Sequence, residues 1–410
     1  MKILHVNFSD TNGGAARAAY RLHIALIENG FRSEFLVCDK QKSDKNVIGP
    51  TSFLSKFWVQ FRNELIQKLL SLSKGSVYRS LAILPSRWVN FINESDADLV
   101  HLHWINGEML SVKDISRIRK PIIWTLHDMW PFLGAEHLTY SELPIYEFGF
   151  KNKTVMQWLF EPNYWTYAQK KNYWKRPLQI VCPSQWLAQQ ASSSSIMQSW
   201  PITVIPNCLD LSVWKPISKD LARKMLNLPL DKKLVMFGSF GANNACHKGR
   251  DLLSSALRSM PLELEDLEIV ILGKNFGDYD DDFGYRCHFI PHLYDDISLV
   301  TLYNAVDVVA VPSRIESFCQ MASEAQACGV PVVAFEVGGL IDIVGHKETG
   351  YLAVPFSTVD FAEGLVWALH EGAVTEIIVA AREKMIGLVA HDQVVEMYCG
   401  VYRKILGEIE

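Results

Sequence analysis

The chain has 410 residues, 49% of them hydrophobic and 21% charged, with a formal net charge of −5 at pH 7 and a pI near 6.2. This balance excludes a largely disordered chain and a general nucleic-acid binder, so no nucleic acid is expected as a partner. The length exceeds what a single core holds, so two domains of about 200 residues each are expected.

Met1 to Phe8 form an apolar run too short for the core of an export signal and are followed at once by polar loop residues, which predicts a first strand. Short apolar runs then alternate with longer helical patterns. Ile3–Phe8, Ser33–Cys38, Leu99–His103, Ile122–His127 and Gln179–Pro183 are the predicted strands of the first half. Leu234–Gly238, Leu267–Gly273, Val306–Pro312, Val330–Phe335 and Tyr351–Val354 are those of the second. Strands alternating with helices imply parallel βαβ units, hence an α/β protein of two doubly wound, Rossmann-like domains facing across a cleft at the C-terminal ends of their strands.

The stretch Thr203 to Asp210 reads as the linker, giving an N-terminal domain over 1–203 and a C-terminal domain over 204–385. The last helical pattern, Asp392–Leu406, lies in a tail over 386–410 expected to pack back on the N-terminal domain. No stretch approaches the apolar length of a membrane span, so membrane contact has to be peripheral. Eight cysteines at 38, 182, 208, 246, 287, 319, 328 and 399 stand singly, without metal-ligand spacing or a disulfide framework, which fits a reducing cytoplasm.

Five motifs follow strands or break the alternation. Gly13 and Gly14 feed a small-residue helix after the first strand, as an ordinary tight turn or as a loop whose backbone approaches a ligand. Residues 53–90 carry Lys56, Arg62, Lys68, Lys74, Arg79 and Arg87 against Glu64, with Phe57, Trp58, Phe61, Leu65, Ile66, Leu69 and Leu70 at near-helical spacing. Such a helix either faces a core or lies on an anionic membrane surface. Trp124 to Phe132 place His127, Asp128 and Trp130 directly after a strand; His127 can bond a sugar hydroxyl and Trp130 can stack on a sugar face, with His137 as a further polar candidate. After Gly238, Lys248-Gly249-Arg250 open a helix where a lysine can neutralise a diphosphate, worth about 1.5–3 kcal/mol. The acidic run Asp278 to Asp282 reads as exposed charge.

The most informative spacing is that of Glu316 and Glu324, eight positions apart after a strand and a proline. A helix starting near Phe318 would hold Glu324, with Glu316 in the loop before it. Free N–H groups at the helix start suit a phosphate and carboxylates accept from sugar hydroxyls, which together suggest a nucleotide diphosphate sugar.

In order, Gly13-Gly14, Thr125 to Pro131, Pro183 to Leu187, Ile205-Pro206-Asn207, Lys248-Gly249, Glu316 to Glu324, the sequel to Ala334, Gly338-Gly339 and Thr349-Gly350-Tyr351 resemble glycosyltransferase family 4, retaining enzymes of the GT-B fold, over essentially the whole chain. The resemblance implies that Glu316 contacts the donor sugar and Glu324 the ribose. Lys248, with Arg250 nearby, would hold the diphosphate. His127 would sit at the reacting face, Gly13 and Gly14 would approach phosphates or acceptor with Asp128 and Trp130, and backbone around Ser317, Phe318, Gly338 and Gly339 would line the donor pocket.

It further implies transfer with retained anomeric configuration, no cofactor and no metal, the nucleotide sugar being a substrate. Three departures from the family pattern stand out: the neighbours before Lys248 are Asn243, Asn244 and His247 rather than an arginine, with Arg250 following instead; Cys319 stands where glycine is usual; and no cysteine lies between 39 and 181, where relatives often carry them shortly after the His127 segment. The expected protein is a hexosyltransferase that uses a UDP- or GDP-sugar and extends a glycan or undecaprenyl-linked acceptor for a surface polysaccharide. It would be cytoplasmic and peripheral at the inner face of the plasma membrane through residues 53–90. A non-catalytic sugar-nucleotide or glycan-binding protein on the same scaffold is the alternative, and a phosphate-dependent glycan phosphorylase the rival among enzymes.

Overall fold

All ten predicted apolar runs form strands, because most of their residues are enclosed on both faces of a parallel sheet and need no regular polar side. The computed structural model describes residues 1–71, 78–139, 161–238, 245–260, 266–273, 283–372 and 374–408. These divide into two units, Met1–Asn207 with Asp392–Glu410, and Cys208–His391. The boundaries fall four residues beyond the expected linker start and six beyond the expected tail start, because residues 202–204 are strand and the helix over 375–389 stays with the second unit.

The N-terminal unit holds β1 (Lys2–Val6), β2 (Arg32–Leu36), β3 (Val47–Ile48), β4 (Leu99–Leu102), β5 (Ile122–Thr125), β6 (Gln179–Cys182) and β7 (Ile202–Val204) in the order β3-β2-β1-β4-β5-β6-β7, all parallel. The C-terminal unit holds β8 (Lys233–Gly238), β9 (Leu267–Leu272), β10 (Cys287–Ile290), β11 (Val308–Val311), β12 (Val332–Phe335) and β13 (Gly350–Ala353) in the order β10-β9-β8-β11-β12-β13, again parallel. Strand order reverses between β1 and β4 in the first sheet and between β8 and β11 in the second, and loops leaving the C-terminal ends there are the ligand-binding positions of doubly wound sheets.

The second sheet shows why its strands read as unbroken apolar runs. Val309, Val311, Val332 and Ala334 face one core, while Val308, Ala310, Val333 and Phe335 face the other. The three strands missing from the sequence reading, β3, β7 and β10, are sheet edges. Edge strands carry half-exposed residues and so lack the continuous apolar signature; β7 and β10 have no fully buried residue.

From Asp392 on, the helix His391–Leu406 belongs to the N-terminal unit, where Tyr402 and Tyr398 reach the interior beside β4 and β5. In the helix Phe53–Ser71 only Ile66 and Leu70 are buried. Phe53, Leu54, Phe57, Trp58, Phe61, Leu65 and Leu69 are all exposed, Phe53 by 82% and Trp58 by 57%. Its apolar stripe is therefore not core. Arg62 donates to the carbonyls of Leu84, Pro85 and Glu108, and buried Arg79 donates to that of Leu70. Lys56 and Lys68 remain as exposed cations on the helix, while Lys74 lies outside the described residues. Among the described residues, no single helix is long and apolar enough to cross a membrane.

Candidate active site

In the C-terminal unit, Lys248 ends a short helical turn over Ala245–Lys248, and Glu316 lies in the loop after β11. Gly249 brings them together. Its φ of 67° is left-handed, and a Cβ there would stand 1.8 Å from the Pro312 carbonyl oxygen, so only glycine lets this turn pack on the end of β11. The Arg314 amide donates to the His247 carbonyl at 2.7 Å, closing the same junction.

Lys248 Nζ then donates to Glu316 Oε1 at 2.6 Å, and Ser313 Oγ to the same oxygen at 2.8 Å. The pair is partly open, with side-chain exposures of 30% and 12%. Oε2 of Glu316 has no partner among the described residues. An ammonium with three donors beside a half-used carboxylate can bind a group that offers both anionic oxygen and hydroxyls. Burial, with Lys248 alongside, pushes the His247 imidazole below its ordinary value.

The second glutamate is placed differently. Glu324 is fully buried in the helix Gln320–Ala327, and its Oε2 accepts from Tyr303 at 2.8 Å. The helix starts two residues later than predicted, because Cys319 at its entrance adopts φ 75° and offers no side-chain cap. Burial pushes the Cys319 thiol far up, so it is an inert apolar group there.

The glycine pair at 338–339 requires a correction. Gly339 N–H already donates to the Glu316 carbonyl at 2.8 Å. A Cβ on Gly338 would meet the Glu316 carbonyl oxygen at 2.2 Å, and one on Gly339 the Ser317 oxygen at 2.5 Å. The pair packs against the Glu316 loop and fixes it, and the Gly339 N–H is taken up by that loop rather than offered to a pocket. Ser317 is half-buried, Phe318 enters the core, and Arg250 lies over the Phe283 ring with its guanidinium carbon 4.9 Å from the centroid. Residues 239–241 and the acidic run at 278–282 lie outside the described residues.

In the N-terminal unit, Gly13 caps the helix Gly14–Glu28 with φ 90°, and no atom lies within 4 Å of where its Cβ would be. Beside this loop is a cavity of about 210 Å³ lined by Asn7, Phe8, Asn12, Asp39, Tyr78 and Trp104 among others. Asn12 Nδ2 and Ser9 Oγ both donate to Asp39. None of these flanking residues was singled out in the sequence, since they come from four separate segments.

His127 is partly exposed after β5, and burial takes its imidazole down to about 4 despite nearby Asp128. Its neighbours are structural. Asp128 Oδ2 accepts from Trp104 at 2.9 Å and pairs with His137 at 2.6 Å, and Oδ1 accepts from the Trp130 amide. Burial raises this carboxyl, but His137 and these donors outweigh it and hold it below the usual range. Trp130 has 0% exposure, with Nε1 donating to the Ser80 carbonyl, so it cannot stack on a sugar. Buried Lys170 lies over its ring and donates to the carbonyls of Trp130, Leu133 and Gly134, pinning the loop after β5 from beneath. The sequence reading missed Lys170 because a lone lysine carries no signal until its carbonyl partners are in place.

Two family models match the chain: Glycosyltransferase Family 4 over residues 12–213 and Glycosyl transferases group 1 over residues 219–386. D-inositol 3-phosphate glycosyltransferases are similar at 35% identity, that of Xylanimonas cellulosilytica over 188 residues (42% of each chain) and that of Mycolicibacterium smegmatis over 196 (45% of this chain, 43% of that one). These matches span less than half the length of the curated relatives. Among solved structures, sucrose-phosphate synthase from Thermosynechococcus elongatus superposes with a TM-score of 0.68 at 17% identity over 100% of both chains. HepE of Anabaena, in complex with UDP-glucose, does so at 0.66 and 18% over 98% of this chain and 100% of that one. At such identities the structures establish the fold, and with the two models taking in both units, the chain belongs to the family 4 glycosyltransferases, with the GT-B fold.

Proposed function

We propose that the protein transfers a hexose from a UDP- or GDP-sugar to a glycan or lipid-linked oligosaccharide in surface-polysaccharide synthesis, with retention and without a metal. The observation that carries this reading is the partly open Lys248–Glu316 pair at the strand-order reversal of the C-terminal unit. A diphosphate entering there takes the ammonium from Glu316, which turns to the sugar hydroxyls. As the anomeric carbon–oxygen bond breaks, charge grows on the departing phosphate oxygen and Lys248 stabilises it. The acceptor hydroxyl forms the new bond on the face just vacated, and its proton passes to that phosphate oxygen. The family resemblance assigns the ribose to Glu324, which is enclosed beside Tyr303 and accepts from the ribose hydroxyls only once the entering nucleotide displaces what covers it.

The acceptor belongs to the N-terminal unit, where the cavity beside Gly13 combines the rings of Phe8, Tyr78 and Trp104 with the Asp39 carboxylate, a lining suited to a sugar's apolar face and hydroxyls. The exposed stripe of the helix Phe53–Ser71 supports a lipid-linked acceptor met at an anionic bilayer. Aromatic burial dominates that contact, since two of the expected cations, Arg62 and Arg79, are engaged by carbonyls.

Thermal stabilisation by UDP, GDP and their sugars would identify the donor. Product formation on glycan and lipid-linked acceptors, with anomeric configuration read by NMR, would then test transfer. Nucleotide binding without turnover on any acceptor would leave a binding protein instead, and an inverted product would overturn the mechanism.

A further inference from the structure

The N-terminal unit holds more imidazoles than this chemistry uses. Parallel register sets His5 of β1 against His101 of β4, with His103 and His127 just beyond the ends of β4 and β5. Their rings form a string: His127 Nε2 lies 3.1 Å from His103 Nδ1, and His103 Nε2 lies 2.9 Å from His5 Nδ1. The rings stack with centroids 5.4 and 5.2 Å apart. At the inner end, His5 Nε2 is buried with no partner.

A neutral imidazole carries one N–H, so two bonds between three rings allow two proton arrangements. In the first, His127 donates inward, His103 donates to His5, and the last hydrogen is stranded on His5 Nε2. In the second, both bonds reverse, a lone pair faces the apolar interior, and the last hydrogen emerges on His127 Nδ1. Orphaned buried N–H groups are rarer than under-used acceptors, which selects the second arrangement. Metal binding is the competing use, since nitrogens of His5, His101 and His103 lie within 4.8 Å of one another. His101 opposes it, because Nδ1 already meets the Tyr402 hydroxyl at 2.8 Å and Nε2 the Thr125 hydroxyl at 2.7 Å.

We infer that His5 and His103 are positioning residues that fix His127 as a neutral imidazole with its hydrogen on Nδ1, donating to an oxygen of the bound sugar substrate. The donation to a sugar rests on the function proposed above, whereas the tautomer does not. Nitrogen-15 long-range correlation spectra of histidine-labelled native protein read the tautomer without any ligand. His127 is expected to carry its hydrogen on Nδ1 with Nε2 bare, and a hydrogen on Nε2 would overturn the inference. So would one equivalent of added zinc moving the His5, His101 and His103 signals together.

The role is tested by His103→Leu, which abolishes the donor to His127, and His103→Asn, whose amide can restore it. The leucine variant is expected to lose roughly tenfold in kcat at unchanged KM, with the asparagine variant within about threefold of native. Equal turnover of both variants and the native protein would overturn the role. Native protein inactive on every donor and acceptor would instead overturn the function reading, leaving the spectra to decide the tautomer; should His103→Leu fail to fold, those spectra still decide.

Discussion

The two units share a strand order and treat polar side chains beyond their strand ends in opposite ways. The C-terminal unit keeps an ammonium and a carboxylate in contact at a partly open site, whereas the N-terminal unit sets neutral imidazoles in series, most of them buried. A ligand can separate the first pair by offering each partner a replacement. Buried neutral imidazoles offer only the hydrogens they already hold, and they make their unit vulnerable to acid.

That vulnerability is the largest effect the contrast predicts. Burial pushes His5, His101 and His103 well below the ordinary histidine value and takes His23 and His127 to about 4. Below about pH 6.5 the unfolded chain therefore binds more protons than the folded unit, and stability rises with pH. It is complete above about 6.5 and is lost toward 4, by up to about 1.4 kcal/mol per pH unit for each histidine. In the C-terminal unit, burial with Lys248 alongside also depresses His247, but among the described residues it is a single imidazole outside any string. Hydrogen exchange at pH 7 and 5 is expected to show protection lost first around β1, β4 and β5. Equal loss around β8 and β11 would break the comparison.

Next come the glutamates. Glu316→Gln is expected to lower kcat by about 10²–10³-fold with nucleotide affinity within about threefold, because a charge facing the transferred sugar is removed. Lys248→Ala is expected to weaken UDP or GDP by about ten- to a hundredfold, the worth of a charge-assisted bond. Glu324→Gln is expected to weaken nucleotide more than it slows turnover. Calorimetry set beside steady-state kinetics separates these outcomes, and nucleotide affinity that collapses with Glu316→Gln alone would reverse the assignment.

Central strands and the order of the site loops were legible in the sequence because burial on both faces writes itself as apolar runs and turn glycines. What stayed hidden depended on distant partners. Trp130 looked like a sugar platform until Lys170 and Ser80 were seen to enclose it. Gly338 and Gly339 looked like ligand contacts, yet their missing side chains accommodate the Glu316 loop. The histidine string was invisible because its members lie 98 and 24 positions apart and meet only through strand register.

The helix Phe53–Ser71 extends the contrast to the surface. Phe57→Ser with Trp58→Ser is expected to reduce binding to phosphatidylserine-containing vesicles by about tenfold or more, each ring contributing roughly 1.5–3 kcal/mol when fully buried. Added salt is expected to weaken binding modestly, given two exposed lysines on the helix. Cosedimentation unchanged by the double substitution would remove the bilayer from the proposal.

The smallest effect belongs to a pair that resembles Lys248–Glu316 in charge but not in setting. Arg314 grips Asp251 with both guanidinium nitrogens, at 2.9 and 2.5 Å, and the arginine holds that carboxyl below its usual range. Yet Asp251 is 64% exposed, so water competes for the same oxygens. The junction near Lys248 is already fixed by the Arg314 amide and by Gly249. Asp251→Asn is therefore expected to cost no more than about 1 kcal/mol of stability and to leave nucleotide affinity within about twofold. A calorimetric loss of tenfold would mean that this ion pair, and not backbone packing, holds Lys248 in place.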